Sequence, residues 1–84
     1  MHCYVYKSLS KQDVYVYLDR RDDFTQLPPA LHDLLGELRF VLAFELTPQR
    51  RLAKETAGSV LRNLNTRGYH LQMPDTRAAR ERTH

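Results

Sequence analysis

The side chains of this chain that are best suited to contact a partner are basic. Residues 1–47 hold five lysines and arginines against seven carboxylates, a net charge of −2, and residues 48–84 hold eight against three, a net charge of +5. Within residues 48–74, the basic residues are Arg50, Arg51, Lys54, Arg62 and Arg67. Such a density favours contact with phosphate or with an acidic protein surface. A solvated helix face explains the same charges without a partner, so both interpretations stay open.

Four tyrosines near the N-terminus form a second candidate surface. Tyr4, Tyr6, Tyr15 and Tyr17 are predicted to line one face of a hairpin. Exposed aromatic rings on strands stack on the bases of single-stranded RNA. The alternative is that a helix covers the rings while the hydroxyl groups reach the rim. Together with the basic residues, these tyrosines are the candidate binding residues.

Lys7 is the strongest candidate for a catalytic role. It lies in an apolar strand beside Cys3 and Val5, and partial burial would favour the neutral amine that acts as a base or nucleophile. More often such a lysine extends its ammonium group to the sheet edge or pairs with a carboxylate such as Asp19. A small enzyme that uses Lys7 and a carboxylate on nucleic acid or nucleotides is therefore the alternative to a binding module.

The other residue types that carry chemistry lack the spacing that chemistry needs. His2, His32 and His70 fall in separate predicted elements, and neither HExxH nor Cys-x-x-Cys occurs, so we predict no metal site. The loop Asp19–Asp23 holds three carboxylates, but its two arginines oppose a cation. Cys3, the single cysteine, is predicted to be a buried and inert thiol. The three glycines form no phosphate-binding loop, and we predict no cofactor.

The elements that must position these residues follow a β-β-α-β-α-β order. Residues 3–8 and 14–18 alternate with period two across a short polar link, which predicts an antiparallel hairpin. Leu27-Pro28-Pro29 begins a short helix that Gly36 ends. Residues 39–46 are apolar on both faces, which is typical of an interior strand. Its predicted faces are Phe40, Leu42 and Phe44 on one side, and Val41 and Ala43 on the other.

The C-terminal half is predicted to hold one long helix and one short strand. The helix runs from about Pro48 to Arg67, with Thr47 as its N-cap and Gly68 as its end. Gly58 is a weak point within it. Tyr69–Met73 alternates and forms the fourth strand. A right-handed crossover between strands two and three predicts the strand order 2-1-3-4.

These elements predict an α+β fold around a small, largely antiparallel sheet whose third strand is covered on both faces. The length allows one domain, which we place over residues 1–74, followed by a disordered, Arg-rich tail over residues 75–84. No apolar run approaches the ~20 residues that cross a bilayer, and the N-terminus has no signal-peptide pattern. We therefore expect a cytoplasmic protein.

Several short motifs are specific enough to point to a family. They are Tyr6-Lys7-Ser8, Leu34-Leu35-Gly36, Leu46-Thr47-Pro48 and Gly68-Tyr69-His70-Leu71-Gln72-Met73-Pro74. With them the chain resembles the YcgL domain, a family of small gammaproteobacterial proteins, over residues 1–74. The resemblance implies an α/β/α sandwich. It implies no activity, cofactor or catalytic residue, because none is established for the family.

The sequence thus predicts a non-catalytic binding or adaptor module that meets a protein or RNA partner through the basic long helix and the tyrosines. A homodimer through an open sheet edge is a further prediction, and no membrane or metal partner is expected. The central geometric expectation is that Phe40–Phe44 lies between two helical layers and leaves no cavity for a substrate.

Overall fold

The computed structural model describes residues 1–74, which form four strands and two helices in the predicted order. The elements are β1 (His2–Ser8), β2 (Tyr15–Leu18), α1 (Pro29–Leu35), β3 (Leu38–Glu45), α2 (Ala57–Arg67) and β4 (Tyr69–Gln72). The prediction of a disordered tail falls on residues 75–84 and lies outside the described residues. None of the helices within residues 1–74 has the length and hydropathy to span a membrane.

The four strands form one antiparallel sheet in the order β3-β1-β2-β4. The predicted hairpin is confirmed, and so is the position of β1 between β2 and β3. The predicted place of β4 outside β3 is wrong, because β4 pairs with β2 instead. Gly68 alone separates α2 from β4, so β4 has to begin where α2 ends, and α2 lies against β2 and β4.

β3 is consequently an edge strand, not an interior one. Arg39–Ala43 are exposed, and Phe40, Val41 and Leu42 keep 37%, 41% and 45% of their surface accessible. The expectation that Phe40–Phe44 is enclosed between two layers is therefore wrong. Apolar residues on both faces indicated an interior strand, but here they belong to a strand whose outer side is left unpaired by every strand within residues 1–74.

A β-bulge changes which side chains of β3 share a face. Val5 pairs with Leu42 and Tyr6 pairs with Phe40, so Val41 is an extra residue between them. Leu42 therefore faces the same side as Val5, and Phe40 faces the same side as Tyr6. The predicted grouping of Phe40 with Leu42 fails because the bulge interrupts the period of two.

Each face of the sheet carries its own buried core, which confirms the three-layer α+β sandwich. The α2 side of the sheet buries Cys3, Val5, Tyr17, Leu46, Ala57, Val60 and Leu64, and the α1 side buries Tyr6, Val14, Val16, Leu18, Leu27 and Leu35. Successive residues of a strand point to opposite faces, so β1 and β2 contribute to both cores.

The helix α2 is shorter than predicted because it begins after Thr56. The Thr56 hydroxyl accepts a hydrogen bond from the Ser59 amide at 3.3 Å, as an N-cap does. Upstream, the Arg50 amide donates to the Thr47 carbonyl at 3.0 Å and closes a turn over Pro48. A proline after threonine suits the second position of a turn as well as the first turn of a helix. Residues 46–56 therefore form a loop.

Candidate functional site

An open groove of about 260 Å³ lies on the α2 side of the sheet, beside the exposed part of β3. We call it the β3 groove. Its main lining residues are Val41, Leu42, Phe44, Leu52, Arg50 and Arg51. The groove exists for two reasons. The helix α2 begins too late to cover this end of the sheet, and the bulge brings Val41 to the same opening as Leu42.

Arginines cover the two phenylalanines of β3 from opposite faces of the sheet. The guanidinium carbon of Arg50 lies 4.6 Å from the centre of the Phe44 ring on the α2 side. That of Arg21 lies 4.5 Å from the centre of the Phe40 ring on the α1 side. These are cation–π distances. Each face of the open strand therefore presents a positive charge beside apolar surface.

Glu45, the acidic residue of β3, is neutralised by the N-terminal amino group, so the remaining charge along this strand is positive. The Met1 amino group donates to the Glu45 carboxylate at 2.8 Å, and this hydrogen bond holds the pKa of Glu45 below its usual range. Arg39 and the two arginines of the β3 groove form no ion pair with any residue between 1 and 74. The strand and groove thus offer cations to a partner.

The five basic candidates are divided between two segments. Arg50, Arg51 and Lys54 lie on the loop 46–56, and Arg62 and Arg67 lie on α2. All five are exposed. The prediction of one basic helix surface is wrong for the first three, because the helix starts at Ala57. Their role in binding stays a prediction.

The tyrosines do not share a face. Tyr4 lies opposite Leu18, and Tyr17 lies opposite Val5. Directly opposed residues point to the same side of a sheet, so the tyrosines of β1 face the α1 side and those of β2 face the α2 side. Tyr6 and Tyr17 are also buried in the two cores. The predicted tyrosine face is therefore wrong.

Two of the tyrosine hydroxyls are held by polar partners inside the fold. The Tyr6 hydroxyl donates to the Asp22 carboxylate at 2.8 Å, and the Tyr17 hydroxyl donates to the Gln72 side chain at 2.6 Å. Burial raises the pKa of both phenols. Of the tyrosines on the α2 side, Tyr15 is only half-buried and lines the β3 groove.

Comparison with known proteins identifies the family. Residues 3–75 match the family model described as the YcgL domain. The chain belongs to the YcgL domain family. A YcgL domain-containing protein of Thioalkalivibrio sulfidiphilus is 54% identical over 74 residues, which are 88% of this chain and 91% of that protein. Another, from Xanthomonas euvesicatoria pv. vesicatoria, is 53% identical over 76 residues, 90% of this chain and 88% of that protein. One from Stenotrophomonas maltophilia is 49% identical over 79 residues, 94% and 92% of the two chains.

These relatives confirm the resemblance seen in the motifs. The name YcgL states no activity, substrate or partner. What this YcgL domain does must therefore be inferred from the surfaces and side chains it presents.

In this YcgL domain, Lys7 and Cys3 lie in different surroundings. Lys7 is half-buried and, together with the exposed Asp13, lines an open cavity of about 370 Å³. The predicted ion pair between Lys7 and Asp19 is not formed. Cys3 is fully buried, as predicted, and burial raises the pKa of its thiol to about 12, which favours the neutral thiol.

The carboxylates and histidines within residues 1–74 meet at most in pairs. Asp22 accepts from Tyr6, and Asp23 accepts from the Thr25 amide at 3.1 Å. Within residues 1–74, no three His, Cys, Asp or Glu side chains come close enough to hold a metal ion together. The loop that holds these carboxylates is thus fixed by one hydrogen bond from β1 and by another within the loop.

A buried polar cluster of the YcgL domain escaped the sequence analysis. His70 is 6% exposed. Its Nδ1 lies 2.8 Å from the side-chain nitrogen Nδ2 of Asn63, and its Nε2 lies 3.4 Å from a Glu55 carboxylate oxygen. The cluster joins α2, β4 and the end of the loop 46–56. Asn63 lies one turn after Val60, on the buried side of α2, and that position was the available sign of a polar contact.

Proposed function

We propose that this YcgL domain is a non-catalytic binding module that captures an acidic, partly apolar segment of a partner protein in the β3 groove. The observation that supports the proposal is that the apolar Val41 and Leu42 line the same groove as Arg50 and Arg51. The proposal keeps the cytoplasmic location that the sequence predicts.

The exposed apolar residues of the groove favour binding over a purely structural role. Two neighbouring residues that line the groove, Val41 and Leu42, keep 41% and 45% of their surface accessible. Contiguous apolar surface of this kind marks interaction sites, whereas single exposed apolar residues need no explanation. A groove this small buries little area, so we expect a dissociation constant of about 1–100 μM for a single segment.

The chemistry of the surface favours a protein segment over RNA. Sequence-tolerant RNA binding depends on exposed aromatic rings on which bases stack. Here Tyr6 and Tyr17 are buried, and the rings of Phe40 and Phe44 already carry their own arginines. Aliphatic surface beside guanidinium groups suits apolar side chains interspersed with carboxylates.

A charge-reversal experiment tests the proposal. A display library of random decapeptides, panned against the intact chain, supplies the probes, and fluorescence anisotropy of the enriched peptides gives their affinities. We expect the enriched peptides to combine Asp or Glu with large apolar residues. Arg50→Glu with Arg51→Glu should weaken them at least tenfold, because two attractive charges become repulsive.

The matched control is Arg62→Glu with Arg67→Glu, which makes the same change of net charge on α2. We expect this variant to bind within twofold of the wild type, with circular dichroism showing that both variants are folded. An equal loss in both variants would mean unspecific charge attraction and would contradict the proposal. So would a failure to enrich peptides, or a single-stranded RNA 20-mer that binds more tightly and displaces them.

A further inference from the structure

The open side of β3 suggests how the partner segment is held, an inference that rests on the function proposed above. We propose that the segment adds to the sheet as a fifth strand along β3. This strand has eight residues and contains neither proline nor lysine, the residues that commonly protect an edge. The other edge of the described sheet, β4, has four residues and is followed two positions later by Pro74.

The hydrogen bonds between β1 and β3 reveal which backbone groups of β3 are already used. The Leu46 amide donates to the Met1 carbonyl at 2.7 Å, just beyond the last paired residues. Hydrogen-bonded and non-hydrogen-bonded pairs alternate along an antiparallel ladder. Phe44, opposite Cys3, and Leu42, opposite Val5, therefore direct their backbone groups towards β1.

The intervening residues, Ala43 and Glu45, direct their N–H and C=O groups away from β1, towards the open side. The hydrogen bonds between β1 and β2 support this assignment. The Ser8 amide donates to the Val14 carbonyl at 3.0 Å, so by the same alternation Tyr4 is bonded to β2. Tyr4 lies opposite Ala43 and has no backbone group left for it. Two backbone N–H donors and two C=O acceptors therefore lie along the open side with the spacing that an added strand requires.

The side chains beside this edge define the chemistry of the added strand. Its residues alternate between the two faces of the sheet. On the α2 side they meet Leu42 and Arg50, and on the α1 side they meet Ala43, with Phe40 and Arg21 beyond the bulge. Carboxylates are therefore matched on the α2 side. A second copy of β3 fits poorly, because it would bring the arginines of both copies to the same seam. The bulge confines regular pairing to Leu42–Glu45.

A proline substitution tests the inference. Ala43→Pro removes the outward amide but none of the β3 groups that bond to β1, and proline is tolerated at such edge positions. Ala43→Val keeps the amide at a similar side-chain size. With the enriched peptides as probes, we expect Ala43→Pro to weaken binding at least tenfold and Ala43→Val to stay within threefold.

Hydrogen exchange of the wild type gives a readout that does not depend on how the proline variant folds. With saturating peptide, we expect the amides of Ala43 and Glu45 to exchange at least tenfold more slowly than without it. Unchanged exchange would overturn strand addition, even if the reversal of Arg50 and Arg51 still weakened binding, and the groove would then remain the site. If that reversal had no effect either, both proposals would fail. If these amides were already protected without peptide and light scattering showed a dimer, the strand added to β3 would come from a second copy of the chain. That result would overturn the inference.

Discussion

Leu46→Ala is expected to lower the free energy of unfolding by about 3 kcal/mol. Leu46 follows β3 directly, is 1% exposed, and packs in the core on the α2 side with Val60 and Leu64. Truncation leaves a cavity that the surrounding helix and sheet can fill only in part. Urea denaturation followed by circular dichroism measures the loss, which corresponds to a fall in melting temperature of roughly 12–24 °C for a domain of this size.

Leu42→Ala is the matched control, since it makes the same change four residues earlier. Leu42 is 45% exposed at the open edge, so we expect a loss of less than about 1 kcal/mol. The comparison separates the observed edge strand from the interior strand that the sequence predicts. Similar losses for the two variants would show that Leu42 is buried and would contradict the open groove.

Gly36→Ala is expected to lower the free energy of unfolding by about 2–3 kcal/mol. Gly36 ends α1 with φ +65° and ψ −144°, a backbone conformation that residues with a side chain rarely adopt. An added Cβ would also collide with the Ser10 hydroxyl oxygen in the link between β1 and β2. The same urea experiment measures the effect.

The same substitution at Gly58, Gly58→Ala, is expected to raise the free energy of unfolding. Gly58 lies in the first turn of α2, and an added Cβ meets no atom within 4 Å. We expect a gain of about 0.5–1 kcal/mol, because alanine is the better helix former and restricts the unfolded chain. If Gly36→Ala were neutral, the positive φ at the end of α1 and the close approach of Ser10 would both be incorrect.

The elements that the sequence predicts well are those specified by local patterns. The period-two runs locate β1 and β2, the paired prolines and Gly36 bound α1, and Gly68 separates α2 from β4. Local patterns are less informative where one signal serves two structures. Thr47-Pro48 fits a helix start and a turn equally, and the two are distinguished only by where the regular helix begins, at Ala57.

The neighbours of a strand are set by contacts that are distant in sequence. β4 pairs with β2 because α2 delivers it there, and that choice turns β3 from an interior strand into an edge. The apolar residues on both sides of β3 are real, since Phe40 packs against Tyr6 on one face and Phe44 joins the core on the other. What the pattern could not reveal was which side of the strand is open.

The candidate site was likewise predictable only where local sequence determines it. Composition alone singled out Arg50 and Arg51, but their position in the same groove as Val41 depends on a late helix start and on a bulge. The tyrosines were misplaced for a related reason. A shift of one residue in strand register moves every side chain to the other face, and the link between β1 and β2 does not specify that register by its composition.

Amide hydrogen exchange of the free chain, followed residue by residue by NMR, tests the open edge most directly. Alternation along the last part of β3 is the expected result: the amides of Ala43 and Glu45 exchange nearly as fast as in an unstructured peptide, and those of Leu42 and Phe44 at least a hundredfold more slowly. Slow exchange at all four amides in the monomeric chain would mean that a strand covers the outer side of β3, and it would contradict both the groove and the function inferred from it.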